Sequence, residues 1–169
     1  GHALDVDALG IDVCAIGPQK SLGGPAGVSA LSVSGAAWRA IDRPHARVGS
    51  ILSLMDIRRL WLDAGRGAPP GMPSALEWHA LAAALDRFEA EGTEAAVARH
   101  AQAAAAARAG LNALGAKLWI EDAAQASTLV TAAHLPQGVE PAAFLRAAGA
   151  DAGIDAAVGI PGLVRLNHT

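Results

Sequence analysis

The sequence predicts an α/β protein, on three observations. Short β-branched apolar runs are bounded by glycine and proline, two long alanine- and leucine-rich stretches carry helix punctuation, and the order is strands, two longer helices, then a small β-β-α-β unit. With 169 residues, a chain of this length is enough for one ordinary domain or the larger part of one. It should bury about 70% of its unfolded surface without needing a disulfide or a metal.

Residues 11–16 form the first apolar run, between Gly10 and Gly17-Pro18, and suit a buried strand. A loop over 17–27 follows, dense in chain-turning residues, and 28–33 reads as a second strand. Ser34 can cap a short helix through Trp38 and Ile41. The stretch 43–72 is irregular, with one amphipathic piece over 51–62 and a breaker cluster at 65–73. Ser74 and Glu77 have capping-box spacing, and Leu81, Leu85 and Phe88 give the following helix an apolar face up to Gly92. Thr93 can cap the next helix, which runs through alanines to Leu114 and stops at Gly115. Beyond it, 117–120 and 129–135 read as strands, Pro141 opens a helix containing Phe144 and Leu145, and 164–166 closes with a strand. The last third is therefore a small β-β-α-β unit.

Hydrophobic residues make up 52% but aromatic ones only 4%, so the composition favours packed helices. A net charge of −3 gives no electrostatic reason to bind nucleic acid or an anionic membrane. The single cysteine, Cys14, rules out an internal disulfide and fits a reducing, cytoplasmic setting; inside an apolar strand it reads as an inert core thiol. No signal segment or bilayer-length apolar run is visible, and both ends read as cuts through a larger domain. The six histidines show no metal-ligand spacing and read mostly as surface or helix-face residues, so no metal site is expected. Trp61, Trp78 and Trp119 read as core or interface packing.

The chemistry concentrates in the loop 17–27. The chain has only two lysines, and one of them, Lys20, sits where a strand ends in glycine and proline. A lysine that condenses with a carbonyl must be partly desolvated and held still, which a strand-end loop provides. Gly23, Gly24 and Gly27 let the backbone pass close to a flat cofactor. Taken by spacing alone, a solvated lysine in a glycine-rich turn explains the pattern as well, and the order of a phosphate-binding P-loop is absent.

The stretch IDVCAIGPQKSLGGPAGVSALSVS from Ile11 to Ser34 resembles the cofactor-lysine region of the class V aminotransferases. Its Gly17-Pro18-Gln19-Lys20, Leu22 and Pro25-Ala26-Gly27 match that family's pattern. The similarity continues through SILSLMDIRRLW and through the helix pair from Ser74, with its Glu-Gly and Ala-Arg-His marks. It covers essentially the whole chain, corresponds to the family's later half, and is strongest toward the branch acting on pyridoxamine and pyruvate. The resemblance implies a partial fold-type I pyridoxal-phosphate fold, with the end of the large domain over 1–72 and the small α/β domain over 73–169. It implies Lys20 as the Schiff-base lysine and catalytic proton shuttle, Gln19 near the cofactor phosphate, and Arg165 holding the substrate carboxylate. A guanidinium fork suits that last role through two charge-assisted hydrogen bonds, although Arg165 could also be an ordinary surface strand arginine.

The implied activity is transfer of an amino group between an alanine-like, serine-like or pyridoxamine donor and a small 2-oxo acid such as pyruvate or glyoxylate. Pyridoxal 5′-phosphate would serve as cofactor, or pyridoxal and pyridoxamine as substrates, in a homodimer. Two departures stand out: Met72-Pro73 replaces a Thr-Pro whose hydroxyl reaches the phosphate, and Leu166-Asn167-His168-Thr169 replaces Ile-Gly-His-Met. The aspartate that would pair with the cofactor ring nitrogen is expected upstream of Gly1. The alternative is a non-catalytic fragment or assembly module that keeps the fold and no complete site.

Overall fold

The computed structural model describes residues 1–43, 49–72, 74–152, 160 and 162–168. Its elements are β1 (Val13–Ile16), β2 (Ala30–Val33), α1 (Gly35–Ile41), α2 (Leu54–Ile57), α3 (Ala75–Glu91), α4 (Thr93–Ala113), β3 (Lys117–Leu118), β4 (Val130–His134), α5 (Pro141–Ala152) and β5 (Leu163–Asn167). The chain divides into two units: Leu4–Asp86, and Gly1–Ala3 together with Arg87–Thr169. That division falls within α3.

In the unit Leu4–Asp86, β1 and β2 pair antiparallel, Val13 opposite Val33 and Ile16 opposite Ala30. Asp12 ties the two together, its carbonyl accepting the Ser34 amide at 2.9 Å and its carboxylate accepting the Ser34 hydroxyl. The same hydroxyl oxygen accepts the Ala37 amide at 3.0 Å and caps α1, as expected of Ser34. The expectation of buried strands is corrected. Val13 and Leu31 on one face and Ile16 on the other are each about half exposed, and Cys14 is only half-buried. A strand meant to be covered on both faces reads as continuously apolar, and here both faces are left about half uncovered.

The amphipathic piece 51–62 becomes α2 followed by a π-helical turn, Arg58–Leu62. Ser53 caps α2 by accepting the Asp56 amide at 3.1 Å, and Met55 is its buried anchor. The Arg58 guanidinium lies 5.4 Å from the centre of the Trp38 ring, so a cation–π contact reaches from this turn to α1. In α3 Ala84 is buried, Leu81 and Phe88 beside it are half-buried, and Leu85, expected on that face, is exposed.

Gly92, at φ +82°, stops α3 and is itself the N-cap of α4. Thr93, expected as that cap, is instead the first helical residue, because the abrupt reversal between two helices needs a positive φ that glycine adopts freely. Across it the Arg99 guanidinium donates to both Glu91 carboxylate oxygens, at 2.6 and 3.0 Å, and staples the end of α3 to α4. Ala96, His100, Ala104 and Leu111 form the buried stripe of α4, which packs on β3 and β4. Small alanines there let the helix lie close to the sheet.

The three strands β3-β4-β5 are antiparallel throughout. Leu118, Ala133 and Val164 point to one face and join Leu111 and Ala116 in the core, with Leu135, Phe144 and Leu166 packed around them. The strand expected over 117–120 is shorter. The Arg108 guanidinium of α4 takes the carbonyls of Ile120 at 2.9 Å and Glu121 at 2.7 Å, turning the chain away after Trp119. Gly115, at φ +75°, ends α4 as expected. Among the described residues no helix is long and apolar enough to cross a membrane.

Candidate active site

The lysine loop bridges β1 and β2, and its own backbone folds it. The Gly23 amide donates to the Lys20 carbonyl at 2.9 Å, and the Gly24 amide to the Pro18 carbonyl at 2.8 Å. Pro18 is buried beneath this double turn, while Gln19 and Lys20 project outward. The loop leans on α3, since a Cβ at Gly24 would stand 3.6 Å from the Ala84 methyl and only 2.9 Å from Pro18 Cβ. The Gln19 carboxamide folds back over Gly17, where a Cβ would meet it at 2.8 Å.

Glu77, expected to complete a capping box, does a different job. The Ser74 hydroxyl still accepts the Glu77 amide, at 3.5 Å, but the Glu77 carboxylate accepts the Gly27 amide at 2.9 Å. A Cβ on Gly27 would fall 2.6 Å from Glu77 Cδ, so the two fit only because residue 27 is glycine. Nothing in local spacing signals this contact, because the partners lie 50 residues apart. The result is a lysine on a loop clamped by α3 at its far end.

Lys20 is exposed in this unit, so the desolvation that a carbonyl-binding lysine needs is not supplied by the elements Leu4–Asp86. Pyridoxal phosphate nevertheless fits the chemistry of Lys20, an accessible primary amine for its aldehyde on a tight loop. Met72 is almost fully exposed and has no hydroxyl to offer; Pro73 lies outside the described residues. Among the described residues no group of three or more His, Cys, Asp or Glu could hold a metal ion.

In the other unit, Arg165 sits on β5 opposite Ala132 of β4, on the sheet face turned away from the core. It is exposed, and no other described side chain pairs with its guanidinium. The strand that carries it is held at its end from the core side. There the buried Thr131 hydroxyl lies 2.9 Å from His168 Nε2, and the His168 amide donates to the Leu129 carbonyl at 2.9 Å. Burial lowers the His168 pKa, and the neighbouring His100 lowers it further. His100, expected on a helix surface, is buried on α4 with Nδ1 2.7 Å from the Ala96 carbonyl. That bond satisfies Nδ1 only, and Nε2 is buried without a hydrogen-bond partner; His45 lies outside the described residues. Lys20 and Gln19 thus belong to one unit and Arg165 to the other.

The family model for aminotransferase class-V matches residues 1–160. The chain is 39% identical over 145 residues to pyridoxamine–pyruvate transaminase of Mesorhizobium japonicum, covering 85% of this chain and 36% of that protein. It is 38% identical over 144 residues to an uncharacterized aminotransferase of Methanocaldococcus jannaschii, covering 85% of this chain and 37% of that one. The crystal structure of pyridoxamine-pyruvate aminotransferase from Mesorhizobium loti superposes on the whole chain with a TM-score of 0.84 at 36% identity, over 44% of its own length. The chain spans a little over one third of the curated relatives it matches.

Proposed function

The chain belongs to the aminotransferase class-V family and has its fold-type I architecture, and from that premise we propose that it carries the lysine and the carboxylate-binding arginine of an aminotransferase. The reaction moves an amino group between an alanine-like, serine-like or pyridoxamine donor and a small 2-oxo acid, pyruvate or glyoxylate. The observation that carries the reading is the loop 17–27, whose Lys20 amine stands free on a backbone clamped by Glu77. Pyridoxal phosphate, when bound, supplies the electron sink and carries the amino group between donor and acceptor. Lys20 would hold the cofactor aldehyde carbon and, once released, move the proton at the substrate α-carbon. Gln19 would donate its amide N–H to a phosphate oxygen, and Arg165 would fix the substrate carboxylate with two parallel N–H bonds.

The pyridoxamine–pyruvate enzymes among the relatives favour a free vitamer as donor. The exposed Met72, where a threonine would reach the phosphate, is compatible with that choice. A homodimer, with residues 1–72 closing a large domain and 73–169 forming a small one, and a cytoplasmic setting complete the reading. The test is exchange of isotopically labelled nitrogen. The protein is incubated with pyridoxal phosphate and labelled alanine plus glyoxylate or labelled serine plus pyruvate, or with labelled pyridoxamine plus pyruvate. Labelled product that vanishes in Lys20→Ala and persists in Lys117→Ala supports transfer through Lys20. Absence of any Lys20-dependent exchange contradicts it and leaves the non-catalytic module.

A further inference from the structure

The outward face of the β3-β4-β5 sheet contains a row that the carboxylate role of Arg165 does not use. Ala132 lies opposite Arg165, and on its other side the Trp119 amide donates to the Ala132 carbonyl at 2.9 Å. Trp119, Ala132 and Arg165 therefore stand side by side across three strands. Adjacent strands lie about 4.8 Å apart, so indole and guanidinium arise about 10 Å apart with a methyl group between them. The Trp119 ring leans toward His134, the next outward residue of β4, with centroids 5.6 Å apart and planes tilted by 47°. Val130 and Asn167, opposite each other, bound the far side of the alanine.

This makes a shallow slot with an alanine floor, an aromatic wall and a cationic end. Trp119 is 52% exposed. Arg165 makes no described ion pair and does not lie over the indole, so neither group satisfies the other. We propose that this slot binds carboxylates bearing a planar ring, with the carboxylate on Arg165 and the ring over Ala132 against Trp119 and His134. The inference rests on the carboxylate role of Arg165 and extends the accepted acids beyond pyruvate and glyoxylate: Trp119 and Ala132 become the residues that set which acid side chain is accepted. An aromatic 2-oxo or amino acid matches the span, whereas the methyl of pyruvate leaves the wall untouched.

The experiment is calorimetric titration of the protein with phenylpyruvate and with pyruvate, for the native chain and for Trp119→Phe, Trp119→Ala, Ala132→Leu and Arg165→Gln, each first checked by circular dichroism. Phenylpyruvate should bind about tenfold or more tighter than pyruvate, an increment expected for one stacked ring. Ala132→Leu and Trp119→Ala should erase that difference, and Trp119→Phe should keep most of it. Arg165→Gln should weaken both acids. Equal affinity for the two acids in the native chain, or a preference unchanged in Ala132→Leu, overturns the slot while the carboxylate reading survives. Binding unaffected by Arg165→Gln overturns the carboxylate reading and the slot with it.

Discussion

Glu77 shows how a residue's local pattern and its tertiary role diverge. Its place three residues after Ser74 has the spacing of a helix-capping partner, yet its carboxylate reaches the Gly27 amide of the lysine loop. Lys20, Gln19 and Arg165 could be picked out in the sequence because a motif surrounds each; Glu77 and Thr131 could not, because their partners are 50 and 37 residues away. The loop glycines differ in what a side chain would cost. At Gly27 a methyl meets the mobile end of Glu77, which can swing aside at the loss of one hydrogen bond, about 1 kcal/mol or less at this exposed position. At Gly24 it meets the ring of Pro18 at 2.9 Å, and the backbone must yield, at about 1–3 kcal/mol. Denaturant unfolding should therefore rank Gly24→Ala as the more destabilised, while both variants speed amide hydrogen exchange across 17–27. Equal exchange in the native chain and in Gly27→Ala would mean that Glu77 does not hold the loop.

At the scale of elements, helices were legible to within a residue or two where caps and glycines mark them: Ser34 before α1, Gly92 after α3, Gly115 after α4. Strand ends were less so. Strand β3 stops early because Arg108 captures two carbonyls, a contact from another element that alternation does not encode. The join of β4 to β5 makes a prediction of its own. Burial and His100 lower the His168 pKa below its usual 6.5, so the unfolded chain takes up that proton more readily than the folded one. The neutral ring's contribution is fully present above about pH 6.5 and is lost as pH falls through the lowered value. Urea midpoints followed from about pH 8 to pH 5 should fall more steeply in the native chain than in His168→Gln. Parallel curves for the two would show that this histidine does not couple the end of β5 to pH.

For the molecule as a whole, the fold class and family were readable because the lysine loop, the helix pair and the final β-β-α-β unit each carry a recognisable pattern in the right order. What was misjudged is coverage. Strands β1 and β2 have the composition of a sheet interior but expose Val13, Leu31 and Ile16 on their two faces, and Cys14 is only half-buried. Sequence composition reports the burial a strand is built for, not the burial that one segment provides. The same holds for Lys20, whose chemistry asks for a drier setting than Leu4–Asp86 supplies.

The central claim, that Lys20 is the cofactor lysine, is most directly tested by borohydride reduction of the protein with pyridoxal phosphate, and separately with pyridoxal, followed by peptide mass mapping. The account predicts a reduced adduct on Lys20 and none above background on Lys117, the chain's other lysine and an exposed one. Equal labelling of the two lysines, or none at Lys20, would contradict it.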